Sequence, residues 1–158
     1  MTEFQVKERS LRDESYEENL SYERHITEIF IRWCKINGFR YRINPTDSSF
    51  NLLGSDVTIK KGNIKYEVDL KGCRHKYNTV ALSYERSYDG VTWRQIFNDK
   101  KITDLYVFID ELDNIYGITK DEILFRFDFF KKTTVDKQTA GHFQKCILIP
   151  KEELKLLN

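Results

Sequence analysis

The chain has 158 residues, with 26 Lys+Arg against 25 Asp+Glu for a formal charge of +1, and is 40% apolar, 32% charged and 14% aromatic. That length suits one globular domain able to bury about 68–70% of the surface of its unfolded chain, and the aromatic content excludes a disordered one. No apolar run approaches the ~20 residues of a membrane span, the N-terminal ten residues hold no signal-peptide core, and Cys34, Cys73 and Cys146 are too far apart for a zinc pair or disulfide framework, so secreted, membrane, fibrous and zinc-finger classes are excluded and a reducing cytoplasm is expected.

In chain order, residues 13–37 predict a long helix. Leu20, Ile26, Ile29, Phe30, Trp33 and Ile36 recur along one stripe, and Asn37-Gly38 supplies a stop. Residues 39–43 alternate as a strand ended by Asn44-Pro45. Residues 56–59 and 64–70 predict a hairpin joined by Lys60-Lys61-Gly62-Asn63. Residues 76–88 are open between strand and loop, and Trp93, Ile96 and Phe97 suggest a helix over 92–98. The apolar run 105–109 predicts a central strand, turned by Asp113-Asn114 into a second at 115–118. Thr119 and Glu122 form a capping-box pattern for a short helix. Residues 146–149 predict a last strand, with Pro150 opening a closing helix over 151–157. The fold class is α/β, a mixed sheet flanked by helices.

The chemistry is concentrated on the hairpin. Alternation puts Glu67, Asp69 and Lys71 on one face of the second strand and sends Val68 and Leu70 to the other. The turn brings the Asp56 end of the first strand beside Asp69. Three acids and a lysine so placed repel unless a cation sits among them, and a hard divalent ion satisfies carboxylate oxygens. The competing arrangement is a solvent-facing strand on which Lys65, Glu67, Asp69 and Lys71 neutralise one another.

Asp56 with Asp69-Leu70-Lys71, on a hairpin after a helix, resembles the PD-(D/E)xK nuclease superfamily of restriction enzymes, Holliday-junction resolvases and some homing endonucleases. The resemblance covers about residues 13–110 and leaves 111–158 as an extension; it implies a restriction-endonuclease-like core. It further implies Asp56, Asp69 and the Leu70 carbonyl as metal ligands, with Lys71 acting on the attacking water and the phosphate. Ser55 stands where the motif has proline, and Asp69 where glutamate is more usual. Glu67 is either a second-metal ligand or a partner of Lys65. Resolvases add a helix glutamate, for which the candidates are Glu18, Glu23 and Glu28. A helical wheel puts Glu23 at the edge of the apolar stripe and Glu28 on the far side, which selects Glu23.

Charge is unevenly spread. Residues 1–28 carry four bases and eight acids, whereas residues 60–101 carry ten bases and five acids. Arg74, His75 and Lys76 follow the motif, and Arg86 and Arg94 extend the basic stretch, as phosphate-backbone docking requires. The resemblance therefore implies a Mg²⁺-dependent DNA endonuclease, with Mn²⁺ able to substitute, of site-specific restriction or homing type. A junction resolvase is the second reading and a non-catalytic DNA-binding module the third. Cutting two strands requires two sites, so a homodimer or higher homo-oligomer is expected.

Overall fold

The computed structural model describes residues 21–88, 91–94, 96–98, 100–136 and 143–158. Helix α1 occupies residues 21–36 of these, and the part of the expected helix before residue 21 lies outside the described residues. Its buried stripe is Ile26, Ile29, Phe30 and Cys34, the i, i+3, i+4 and i+8 pattern of one helix face. The stop works as the sequence suggests. Gly38 adopts φ 75°, the Phe39 amide donates to the Cys34 carbonyl at 2.9 Å and the Gly38 amide to that of Lys35 at 3.4 Å. Phe39 then stacks on Trp33 at 5.4 Å, the apolar contact that accompanies such a cap.

Two sheets follow. The first contains β1 (Arg40–Ile43), β2 (Val57–Lys61), β3 (Ile64–Gly72), β6 (Leu105–Ile109), β7 (Ile115–Thr119) and β10 (Lys155–Leu156), hydrogen-bonded in that order. It is mixed: β3 and β6 run parallel, and its other neighbours are antiparallel. The second contains β5 (Val91–Arg94), β4 (Thr79–Tyr88), β9 (Phe143–Pro150) and β8 (Lys131–Asp136), in that order and wholly antiparallel. Two short helices, α2 (Ser49–Leu52) and α3 (Lys120–Phe125), complete the labelled elements. Among the described residues no helix is long and apolar enough to cross a membrane.

Strand β6 shows how the layers are built. Val107 and Ile109 point into a core shared with α1, while Tyr106 and Phe108 point into a second core shared with β4, β9 and α3. The mixed sheet is thus covered by α1 on one face and by the antiparallel sheet and α3 on the other, the α/β class expected. Each fully buried side chain such as Phe30 or Phe108 contributes about 1.5–3 kcal/mol by leaving water. On β3, Val68 and Leu70 pack in the α1 core, so Asp69 and Lys71 face the second sheet.

The hairpin forms through Gly62, whose φ of 60° at the first position of the two-residue Gly62-Asn63 loop suits a II′ turn. The N-cap half of the capping-box pattern forms, Thr119 Oγ1 accepting from the Glu122 amide at 3.2 Å, while the Glu122 carboxylate turns to Arg126 at 3.5 Å. Three local expectations differ. Residues 91–94 form strand β5 rather than the start of a helix, because they pair antiparallel with β4; of the suspected apolar face Ile96 is buried and Phe97 exposed beyond the strand, and the Trp93 side chain lies outside the described residues. The closing helix over 151–157 is a single 3₁₀ turn, Lys151–Glu153, after which Lys155 and Leu156 pair with Gly117 and Tyr116. Ile36, expected on the apolar stripe, is 78% exposed at the last turn of α1.

Candidate active site

Asp56 is positioned from three sides. Its amide donates to the Val68 carbonyl, the Leu70 amide donates to its Oδ2 at 2.8 Å, and Asn51 Nδ2 on α2 donates to its Oδ1 at 3.2 Å. One step beyond the register pair Val57–Val68, this places Asp56 opposite Asp69. Lys71 Nζ lies 3.5 Å from Asp69 Oδ2. The hairpin therefore brings Asp56, Asp69 and Lys71 together.

The two carboxyls are close enough to act on each other, and the environment of Asp69 is costly for charge. Burial first, opposed by the Lys71 ammonium but reinforced by the Asp56 carboxylate, pushes the Asp69 carboxyl up to about 7. Tyr106, its register partner on β6, has its hydroxyl pKa raised by burial and by that same carboxylate. Asp69 and Lys71 look into a cleft of about 130 Å³ between the sheets, closed by Lys101, Thr103 and Tyr106.

Asp56 and Leu70 also border a larger groove of about 600 Å³, whose opposite wall is α1. Glu23 lies on that wall, exposed. So does Glu28, although the wheel sets it on the far side: the groove is broad enough to reach both flanks of the helix.

Glu67 does something else. Only 6% exposed, it accepts from Ser55 Oγ at 2.5 Å and Thr58 Oγ1 at 2.7 Å through Oε2, with Lys65 Nζ 3.4 Å from Oε1. Burial opposes its charge, but the two hydroxyls and Lys65 hold its carboxyl below the usual carboxylate range. Asn44 Nδ2 donates to both hydroxyls, completing a buried network directly behind Asp56. Ser55, just before Asp56, is thus one of the two hydroxyls that bind Glu67. Ser55→Ala removes this donor from a buried carboxylate and is expected to cost about 1–3 kcal/mol in urea unfolding. Glu67→Gln keeps the shape and is expected to change any DNA cleavage far less than Asp69→Asn; equal losses in a single-turnover assay overturn its assignment as a structural pin.

The basic residues are spread more widely. Arg74, His75 and Lys76 are exposed just past the end of β3. The His75 ring sits 3.4 Å from the buried Asp110 carboxylate, and its amide donates to Glu111. Arg86 is exposed on β4, three positions beyond Ser83, which borders the Asp69 cleft. Arg94 sits on β5 in register with Glu85, and its side chain lies outside the described residues.

Sequence reasoning missed the segment 101–103. Lys101 Nζ donates to the Leu52 carbonyl at 3.1 Å, the Ile102 amide to Leu53 at 2.9 Å and Thr103 Oγ1 to Gly54 at 2.6 Å. Three consecutive residues thereby clip the three that lead into Ser55-Asp56. Gly54 permits this by adopting φ +97° and lacking a Cβ, which would collide with the Thr103 hydroxyl. The only trace in the sequence is a lysine pair some thirty positions after the motif.

No protein-family model matches the chain, and no curated protein matches it. Among solved structures it is similar to that of a bacterial homing endonuclease, I-Ssp6803I, with 15% identity and a TM-score of 0.44 over 75% of this chain and 71% of that one. Similarity of that degree decides neither the fold nor the activity of this chain.

Proposed function

We propose that the chain hydrolyses DNA phosphodiester bonds as a divalent-metal-dependent endonuclease of site-specific type, with Asp56, Asp69 and Lys71 at its centre. The observation that carries the reading is the convergence of two carboxyls and an ammonium on one hairpin, with Lys71 Nζ 3.5 Å from Asp69 and the Leu70 amide holding Asp56.

The donor set suits Mg²⁺ or Mn²⁺. Among the described residues no group of three or more His, Cys, Asp or Glu converges, so the protein offers two carboxylates and the Leu70 carbonyl. One or two carboxylates, with water and substrate phosphate, is the usual provision for Mg²⁺. When bound, the cation supplies positive charge at the phosphate and acidifies a neighbouring water. The remaining work falls to the chain. Asp56, fixed by Leu70 and Asn51, and Asp69 hold the cation. Lys71, restrained by Asp69, donates to the attacking water and to a phosphate oxygen. Water oxygen bonds to phosphorus as the bond to the 3′ oxygen breaks; the water's proton passes to solvent and the leaving oxygen takes one up, giving a 5′-phosphate and a 3′-hydroxyl. Arg74, His75, Lys76, Arg86 and Arg94 dock the backbone, and two copies of the chain cut the two strands.

A junction resolvase is the second reading, favoured by the place of Glu23 on the α1 wall of the groove that Asp56 borders. The test is incubation of the purified protein with Mg²⁺ and either a plasmid library or a synthetic four-way junction, its oligomeric state being measured alongside. Discrete cuts in duplex support the first reading and paired symmetric nicks in the junction the second. Binding without cutting in either substrate overturns both in favour of a DNA-binding module.

A further inference from the structure

We propose that Lys101 is a second phosphate-binding cation, contacting the scissile phosphate alongside Lys71 in the cleft beside Asp69. The inference rests on the endonuclease reading and assigns a residue outside the motif to the same reaction.

Three observations carry it. Lys101 and Lys71 line one small cleft, about 130 Å³, together with Asp69. Lys101 is not a waving surface lysine: its ammonium donates to the Leu52 carbonyl at 3.1 Å, and its stem runs over Gly54, so that a Cβ there would lie 3.5 Å from its Cδ. An ammonium has three donors, which leaves two for a ligand. The third observation is charge balance. Asp56 and Asp69 against Lys71 and Lys101 cancel, so a divalent cation leaves two net positive charges. That is equal and opposite to the dianionic phosphorane formed when hydroxide attacks a phosphodiester. Without Lys101 the site falls one charge short, in a partly buried setting where such a deficit is poorly screened.

The geometry also explains the clip. Residues 101–103 hold residues 52–54, so the contact that places the ammonium also anchors the segment leading into Asp56. Thr103 Oγ1 is committed to the Gly54 carbonyl, and Lys101 is left as the group of this segment with free donors.

The experiment uses the full chain, a duplex or junction oligonucleotide, and the variants Lys101→Met and Lys101→Arg. Binding is measured in EDTA over a salt titration, cleavage under single-turnover conditions in Mg²⁺, and stability by thermal melting. Loss of one phosphate contact is expected to reduce the salt slope of Lys101→Met by about 0.9. Loss of one transition-state donor is expected to lower the cleavage rate about 10²–10³-fold. Lys101→Arg is expected to restore the slope and part of the rate, which a merely structural role does not predict. A Lys101→Met slope equal to that of the wild type overturns the proposal whatever the rate, as does an Arg variant indistinguishable from Met. If the wild type does not cut but the slope falls and arginine restores it, the phosphate contact stands and the endonuclease reading falls.

Discussion

Lys71→Ala is expected to lose at least about 10²–10³ of the single-turnover cleavage rate, the scale on which removal of one transition-state donor acts. Duplex affinity is expected to change by less than about 1 kcal/mol, because one partly exposed charge contributes little to ground-state docking. The split between rate and affinity is the informative part. Lys71 touches Asp69 on a strand whose backbone is paired on both sides, by β2 and by β6, so its loss leaves the strand in place. Undiminished cleavage by Lys71→Ala across a Mg²⁺ titration would falsify the assignment of this hairpin as the active site. Lost affinity with an unchanged rate at saturation instead makes Lys71 a docking residue.

The second large effect concerns Asp69 and pH. Its carboxyl is raised to about 7 in the fold against a reference of 3.8, chiefly by burial, with Asp56 adding to the shift and Lys71 opposing it. The folded state therefore holds this proton more tightly than the unfolded chain. Stability from this source is fully present below about pH 4 and is lost as pH rises to about 7, at most about 4 kcal/mol in all. Metal-free protein is thus expected to melt at higher temperature at pH 5 than at pH 8. Asp69→Asn, compared with wild type over the same range, isolates this residue from every other titrating group, and its midpoint is expected to vary less. Excess Mg²⁺ at pH 8 is expected to restore what deprotonation removes, by about 2.7 kcal/mol when the ion is at a hundred times its dissociation constant. Asp56→Asn relieves the repulsion and deletes a ligand together, so its EDTA midpoint at pH 8 should equal or exceed that of the wild type and hardly respond to Mg²⁺. Identical wild-type midpoints in EDTA and Mg²⁺ at pH 8 leave the paired carboxylates without a cation to hold.

Where local chemistry decides an element, the sequence is legible. The α1 stop is written in Asn37-Gly38 and the stacking of Trp33 on Phe39, and the hairpin in Gly62. The apolar run of β6 reads correctly because a strand buried on both faces needs no alternation. The second sheet was harder. Strand β8, Lys131–Asp136, carries mostly exposed lysines and threonines rather than an apolar run, and Lys132 sets its ammonium over the Phe127 ring at 4.5 Å, a contact that composition does not announce. Pro150 signals a helix start in isolation, yet here it closes β9, because the antiparallel partner Thr79 fixes its place.

The candidate site divides in the same way. Asp56, Asp69 and Lys71 are brought together by one local turn, so spacing alone suffices to juxtapose them. Glu67 reads in the sequence as either a metal ligand or a Lys65 partner, because only the fold turns the hydroxyls of Ser55 and Thr58 onto it. Lys101 was invisible because only the tertiary clip on residues 52–54 brings it to the cleft.

The parallel pairing of β3 with β6 has a consequence for how the protein is born. Asp56, Asp69 and Lys71 have all been synthesised by residue 72, but the far edge of β3 has no partner until Leu105–Ile109 arrives, and two strands, β4 and β5, and the 101–103 clip are made in between. At about 5–20 residues per second that interval lasts on the order of seconds. Throughout it β1, β2 and β3 can form a three-stranded meander whose Val57, Ile59 and Val68 pack on α1, but the β3 edge that β6 will cover stays open. Long-range closure of this kind is slow compared with hairpin formation. A chain truncated near residue 80 carries Asp56, Asp69 and Lys71 yet lacks the strand and the clip that fix them.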